Sequence, residues 1–132
     1  MKGYVVDIEK ETLENENFRK VLFTAHHSQL VVMNLLPKEE IGEEVHHLDQ
    51  FLRIEEGEGL AVLDGEEFKV SADWAVVVPA GTRHNFINTS EDKPMKLYTI
   101  YSPAEHKDGT IHVTKADAKA DEHDHFDEHV TE

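Results

Sequence analysis

The chain has 132 residues, enough for one domain, and hydrophobic residues make up 39% of it. Its 28 acidic side chains against 13 basic ones give a formal charge of −15, a field that repels phosphate backbones and anionic lipid and so argues against nucleic acid and membrane surfaces as partners. Cysteine is absent, which excludes disulfides and thiolate metal sites and leaves only nitrogen and oxygen ligands for any ion.

The segment Met1–Asp7 has no long apolar stretch of the signal-peptide kind. The longest apolar run, Trp74 to Val78, falls far short of the ~20 residues needed to span a bilayer, so the expectation is a soluble, cytoplasmic protein. Strand-like runs then follow at short intervals: Tyr4–Ile8, Phe18–Thr24, Gln29–Leu36, Gln50–Glu55, Gly59–Leu63, Glu67–Val70, Trp74–Val78, Asn85–Asn88 and Lys96–Tyr101. Turn signals such as Pro37-Lys38, Glu56-Gly57 and Ala80-Gly81 separate them, and Asp64-Gly65 marks a two-residue hairpin. Many short strands at near-even spacing indicate an all-β sandwich or barrel, with no convincing amphipathic helix before Pro103.

Beyond Pro103 the composition changes. Residues 104–132 carry half of the histidines and many acids, and the expectation is a barrel over residues 1–103 with a polar tail over 104–132, helical between Thr114 and His129 or partly disordered. His123, His125 and His129 could hold nickel or zinc weakly on a helix, but a solvated acidic tail is the expected reading.

Two segments carry the chemistry. The first is Glu44-Val45-His46-His47-Leu48-Asp49-Gln50; the second is Pro79-Ala80-Gly81-Thr82-Arg83-His84, with Asn88 beyond it. Side chains two apart on a strand share a face, so Glu44 and His46 point together while His47 points away, unless the register slips by one. Gln50 opens the next strand and His84 a later one, so Glu44, His46, Gln50 and His84 can converge on one ion. Two imidazoles and a carboxylate suit non-haem iron, and an added amide oxygen also suits manganese, nickel or zinc. Gly81 is expected to relieve a steric clash in a tight turn, Pro79 to end a strand, and Asn88 to close a turn.

These residues resemble the two conserved motifs of the cupin superfamily. In the first, Lys38 stands in the place of glycine, Glu44 in that of the first histidine, His46 in that of the second, Gln50 in that of glutamate, and Gly57 closes it. In the second, Asp73 replaces glycine, followed by Pro79-Ala80-Gly81, His84 and Asn88. The resemblance covers roughly residues 30 to 103, and the stretch Asp49 to Gly59 is similar to small bacterial cupins of the mannose-6-phosphate isomerase-like group. It implies a double-stranded β-helix (jelly roll) with extra N-terminal strands, and a homodimer paired through outer sheets. It also implies one divalent transition metal held by Glu44, His46, Gln50 and His84, and a small-molecule ligand. The exchange of histidine for Glu44 and of glutamate for Gln50 keeps one anion in the set.

Other side chains are read more plainly. Arg53 falls on the opposite face from the ligands; Arg83 is expected as a solvated turn residue, Phe86 as pocket wall or core, and Trp74 as packing. Tyr98 and Tyr101 face opposite ways, and Tyr101 is the candidate acid or hydrogen-bond donor, with Glu44 the candidate base if it is unligated. His26-His27 is expected at a surface turn. Isomerase- or epimerase-like chemistry on a sugar or a keto or hydroxy acid, dioxygen-dependent cleavage at iron, and non-catalytic ligand binding all remain open.

Overall fold

The computed structural model describes residues 2–132. A short helix, α1 (Ile8–Glu14), precedes β1 (Arg19–Thr24), β2 (Gln29–Leu35), β3 (Asp49–Glu56), β4 (Glu58–Leu63), β5 (Glu66–Ser71), β6 (Ala75–Val78), β7 (His84–Asn88), β8 (Met95–Ser102) and β9 (Ile111–His112); α2 (Lys115–Ala120) follows. Alternating burial along β3 and β7 sends every second side chain inward, as half-buried strands require.

Six strands form one sheet in the order β6-β3-β8-β2-β1-β9, and three form a second in the order β5-β4-β7. All the strand pairs are antiparallel. Val31, Met33, Leu35, Leu52, Ile54, Leu97, Met95 and Phe86 fill the space between the sheets and are almost wholly buried. This is the jelly-roll barrel that the strand spacing and motif resemblance lead to expect. The Asp64-Gly65 hairpin forms as expected, with φ of 49° and 84° at the two turn residues.

The N-terminus departs from expectation. Tyr4–Ile8 is not a strand, and a helix does occur before Pro103. Asp7 caps α1 by accepting from the Lys10 amide at 3.2 Å, and Glu9 and Glu11 sit in its first turn. Seven residues are too few to develop a helical hydrophobic period. The helix packs on the outer face of β2, β3 and β8, which explains why Val32 and Asn34 are buried alongside the inward side chains of β2.

The segment after Pro103 returns to the barrel. Ile111 and His112 pair with Lys20 and Arg19 as β9, and Ala104, His106 and His112 are buried. The helix expected from Thr114 to His129 is confined to α2, opened by a Thr114–Asp117 capping box and ended at Asp121. Trp74, expected to pack, is 54% exposed; His26 and His27 lie at the surface as expected.

Candidate metal and small-ligand site

Both chemistry-bearing segments meet at one end of the barrel. Residues 39–46 run antiparallel beside β7, with the Asn88 amide donating to the Glu39 carbonyl, Ile41 to Phe86, and Glu44 and His84 exchanging both backbone hydrogen bonds at 2.9 Å. Directly opposed residues of this kind present their side chains on the same side. One step further, the Gly81 amide donates to the His46 carbonyl at 2.8 Å, and the Ala80 amide to Asp49 Oδ1 at 2.9 Å. The Pro79–Gly81 turn is thus sewn to the His46 loop at two points.

Gly81 has φ of 87° and nothing within 4 Å of where a Cβ would stand, so backbone conformation calls for glycine there, not the expected relief of a clash. Lys38 and Asp73, which occupy the glycine places of the two motifs, also have positive φ, 65° and 75°. Both turns are therefore left-handed without glycine. Asn88 is fully buried and donates to the carbonyls of Leu35, Leu36 and Lys93, closing its turn as expected.

The His46 and His84 rings lie 4.9 Å apart, centroid to centroid. His47 is exposed, so the register that turns His46 inward holds. His84 Nδ1 lies 2.9 Å from the Thr82 carbonyl, which accepts only; Nδ1 carries the proton and Nε2 keeps its lone pair. Glu44 Oε2 is 3.6 Å from His46 Nε2, and Glu105 Oε2 is 3.5 Å from His46 Nδ1. Burial, followed by the nearby His84 and His106, pushes His46 down to about 4, so its imidazole is neutral at neutral pH. Partial burial raises Glu44, although 38% of its side chain stays accessible. Burial and then the Glu44 charge push Glu105 up to about 6.

Gln50 and Tyr101 are paired neighbours on β3 and β8 and both are buried. Gln50 Nε2 donates to Thr99 Oγ1 at 3.0 Å, and that hydroxyl donates to the Phe51 carbonyl at 2.9 Å. The chain of donors fixes the amide and leaves Gln50 Oε1 buried without a partner. Tyr101 stands edge-on to His46 at 5.9 Å and to His106 at 5.2 Å, and burial raises its phenol, keeping it a proton donor. Tyr98 faces the other way, near Phe51. Phe86 is core, Arg83 is exposed and pairs with Glu43, and Arg53 pairs with Glu55 and Asp73 on the outer face.

The donor set suits an ion: a neutral imidazole, a second imidazole with Nε2 available, a carboxylate beside them, and an orphaned amide oxygen. Among the described residues, however, no group of three or more His, Asp or Glu side chains is already drawn around one point.

A cupin-domain family model matches residues 31–101. The chain belongs to the cupin family. In an alignment of 128 positions that covers 92% of its length, this cupin is 48% identical to Uncharacterized protein YrkC of Bacillus subtilis, covering 68% of that protein. It is 44% identical over 116 residues to an uncharacterised protein of Acanthamoeba polyphaga mimivirus, covering 85% of this chain and 72% of that one. The crystal structure of BH2720 from Bacillus halodurans is 46% identical and superposes with a TM-score of 0.88, covering 91% of this cupin and 96% of that chain.

Sequence reasoning missed the residues that close the mouth of this cupin. Glu105 lies against His46, while Arg19 on β1 and His106, His112, Asp121 and Asp124 from beyond Pro103 join in one network. Its links are His106 Nδ1 to Asp124 Oδ2 at 2.9 Å, Arg19 Nη1 to Asp124 at 3.6 Å and to His112 Nδ1 at 3.3 Å, and His112 Nε2 to Asp121 at 2.9 Å. The available signal was position: Glu105-His106 lies directly after the strand that carries Tyr101. No helix among the described residues is long and apolar enough to cross a membrane.

Proposed function

We propose that this cupin binds one divalent transition metal through His46, His84, Glu44 and Gln50 and acts on a small polar metabolite, in isomerase- or epimerase-like chemistry on a sugar or a keto or hydroxy acid. The observation that carries the reading is the 4.9 Å approach of the His46 and His84 rings, with His84 Nδ1 engaged by Thr82 so that Nε2 is the free atom. The buried, unpartnered Gln50 Oε1 supports it. When bound, a divalent ion supplies polarisation of a carbonyl or hydroxyl pair.

This chain's own residues account for the rest. Isomerisation moves a proton between adjacent carbons, which needs a group able to take and return it near neutral pH. Glu105, pushed up to about 6 and 3.5 Å from His46, has that property. Glu44 is a second acid–base group if it stays off the metal, and Tyr101, protonated and buried, is placed to donate a hydrogen bond to developing charge. Phe86, its ring centroid 6.1 Å from that of His84, sets an apolar side chain against the imidazole.

The lack of a preassembled three-ligand cluster favours a second reading, a non-catalytic module that binds a small ligand. Elemental analysis of untagged protein, followed by assays on sugar phosphates, keto acids and catechols, separates these. Stoichiometric metal with isomerase turnover supports the first reading. Metal-dependent thermal stabilisation without any turnover supports the second. Iron with oxygen consumption would replace isomerisation with a dioxygenase, and metal-free protein that takes up none would end the metal site.

A further inference from the structure

The two nitrogens of the His46 ring face different carboxylates. Glu44 Oε2 lies 3.6 Å from Nε2, and Glu105 Oε2 lies 3.5 Å from Nδ1. The two acids therefore stand at different edges of one imidazole. Glu44 directly opposes His84 on the neighbouring segment, and directly opposed residues present their side chains on the same side. Glu44 thus links the Nε2 edge of His46 to His84, whose own free atom is Nε2. An ion shared by the two rings belongs on that edge. Glu105 is left at the other, where an ionised carboxylate can only accept.

The backbone of Glu105 is fixed from both sides. Gln29, on β2, is almost wholly buried. Its Oε1 accepts from the amides of Glu105 at 3.3 Å and His106 at 3.0 Å, while its Nε2 donates to the His106 carbonyl at 2.8 Å and to Thr24 Oγ1 at 2.9 Å. Beyond the α-carbon, the Phe126 amide donates to the Glu105 carbonyl at 3.1 Å. The Glu105 side chain is 25% exposed, and among the described residues His46 is the one basic side chain within ion-pair distance of its carboxylate.

We propose that Glu105 is a positioning residue, which holds the proton of His46 on Nδ1 and so presents Nε2 to the metal. The Thr82 carbonyl does the same for His84 at 2.9 Å. The two imidazoles are then oriented alike, one by a backbone oxygen and one by a side chain from beyond Pro103. The 3.5 Å separation is longer than a formed hydrogen bond of ~2.7–3.2 Å. A cation on Nε2 draws charge from the ring and makes Nδ1–H a stronger donor, so the pair strengthens as the ion binds. The role rests on the metal reading above and concerns affinity for the ion; any proton transfer by Glu105 in turnover is read separately, in the rate.

Zinc affinity of the untagged full chain, measured by competition with a chelator, tests it. Glu105→Ala is expected to weaken zinc binding about 10–100-fold while the melting curve stays cooperative. Glu105→Gln keeps an accepting oxygen without the charge and is expected to recover most of that loss. Long-range nitrogen–proton NMR of the zinc-loaded native protein is expected to show zinc on His46 Nε2 and a proton on Nδ1. Unchanged affinity in Glu105→Ala overturns the proposal. So does Glu105→Gln binding as weakly as Glu105→Ala, since attraction by charge alone then explains the loss; so does zinc on His46 Nδ1, which would make Glu105 a ligand. Native protein that takes up no divalent transition metal sinks the metal reading and this role with it, whereas uptake undiminished in Glu105→Ala sinks this role alone.

Discussion

Thr99 holds Gln50 in one orientation: its hydroxyl receives Gln50 Nε2 at 3.0 Å and passes its own proton to the Phe51 carbonyl. The amide oxygen is left facing away from its only side-chain partner. Thr99→Val removes both links and frees the amide to turn. The variant is expected to fold with a loss of about 1–3 kcal/mol in urea unfolding and to bind less metal by elemental analysis. Undiminished metal at full stoichiometry would remove Gln50 from the ligand set.

His46 and His47 are adjacent but face opposite ways, one buried and one exposed. His46→Ala is expected to abolish most metal uptake, whereas His47→Ala leaves it intact and changes stability by less than about 0.5 kcal/mol. The reverse ranking would mean that His47, not His46, turns inward.

Lys38 occupies the left-handed region at φ of 65°, where a Cβ is strained by about 1–2 kcal/mol. Lys38→Gly relieves that strain against the extra entropy of an unfolded glycine, so a net gain of about 0.5–1 kcal/mol and a higher Tm are expected. Asp73→Gly, at φ of 75°, also forfeits the Arg53 ion pair and is expected to gain less. A lower Tm in Lys38→Gly would contradict the strain.

Gly59 packs its α-carbon against the neighbouring strand so tightly that an added Cβ would overlap the Ile87 carbonyl oxygen. Gly59→Ala must part β4 from β7, which carries His84, and a destabilisation of about 3 kcal/mol or more is expected by denaturant titration. A change under about 1 kcal/mol would show that the strands yield freely.

Asp124 is pushed up by burial but pulled down further by its His106 hydrogen bond and by Arg19, so its folded pKa lies below the ordinary 3.8. A depressed carboxyl contributes stability that is present above its unfolded value and lost as pH falls through the folded value. The advantage of the native chain over Asp124→Asn is therefore expected to be full at pH 7 and to shrink only below about pH 4. Urea midpoints of the two proteins compared across that range check it; an advantage that persists undiminished into strong acid would rule the ion pair out as its source.

The barrel was legible because strand signals are local. Alternation along Gln50–Glu55 and the Asp64-Gly65 turn need no distant partner to be read. The same period of two places His46 inward and His47 outward. Helix α1 was not legible: its seven residues are held by the Asp7 cap and by packing on the outer face of β2, β3 and β8, neither of which leaves a pattern in so short a run. The closing segment was illegible for a related reason. Its acids and histidines read as a solvated tail because their partner Arg19 lies 93 residues before His112 in the sequence.

The sequence by itself determined an all-β sandwich or barrel and the inward register of His46, because period-two patterning and turn chemistry are properties of neighbouring residues; the jelly-roll topology was what the motif resemblance implied. Only the tertiary structure decided what surrounds that imidazole. Pairing Glu44 with His84 and folding Glu105, His106 and Asp124 over the mouth depend on which strands lie side by side, and burial there sets the charge states of the acids and imidazoles.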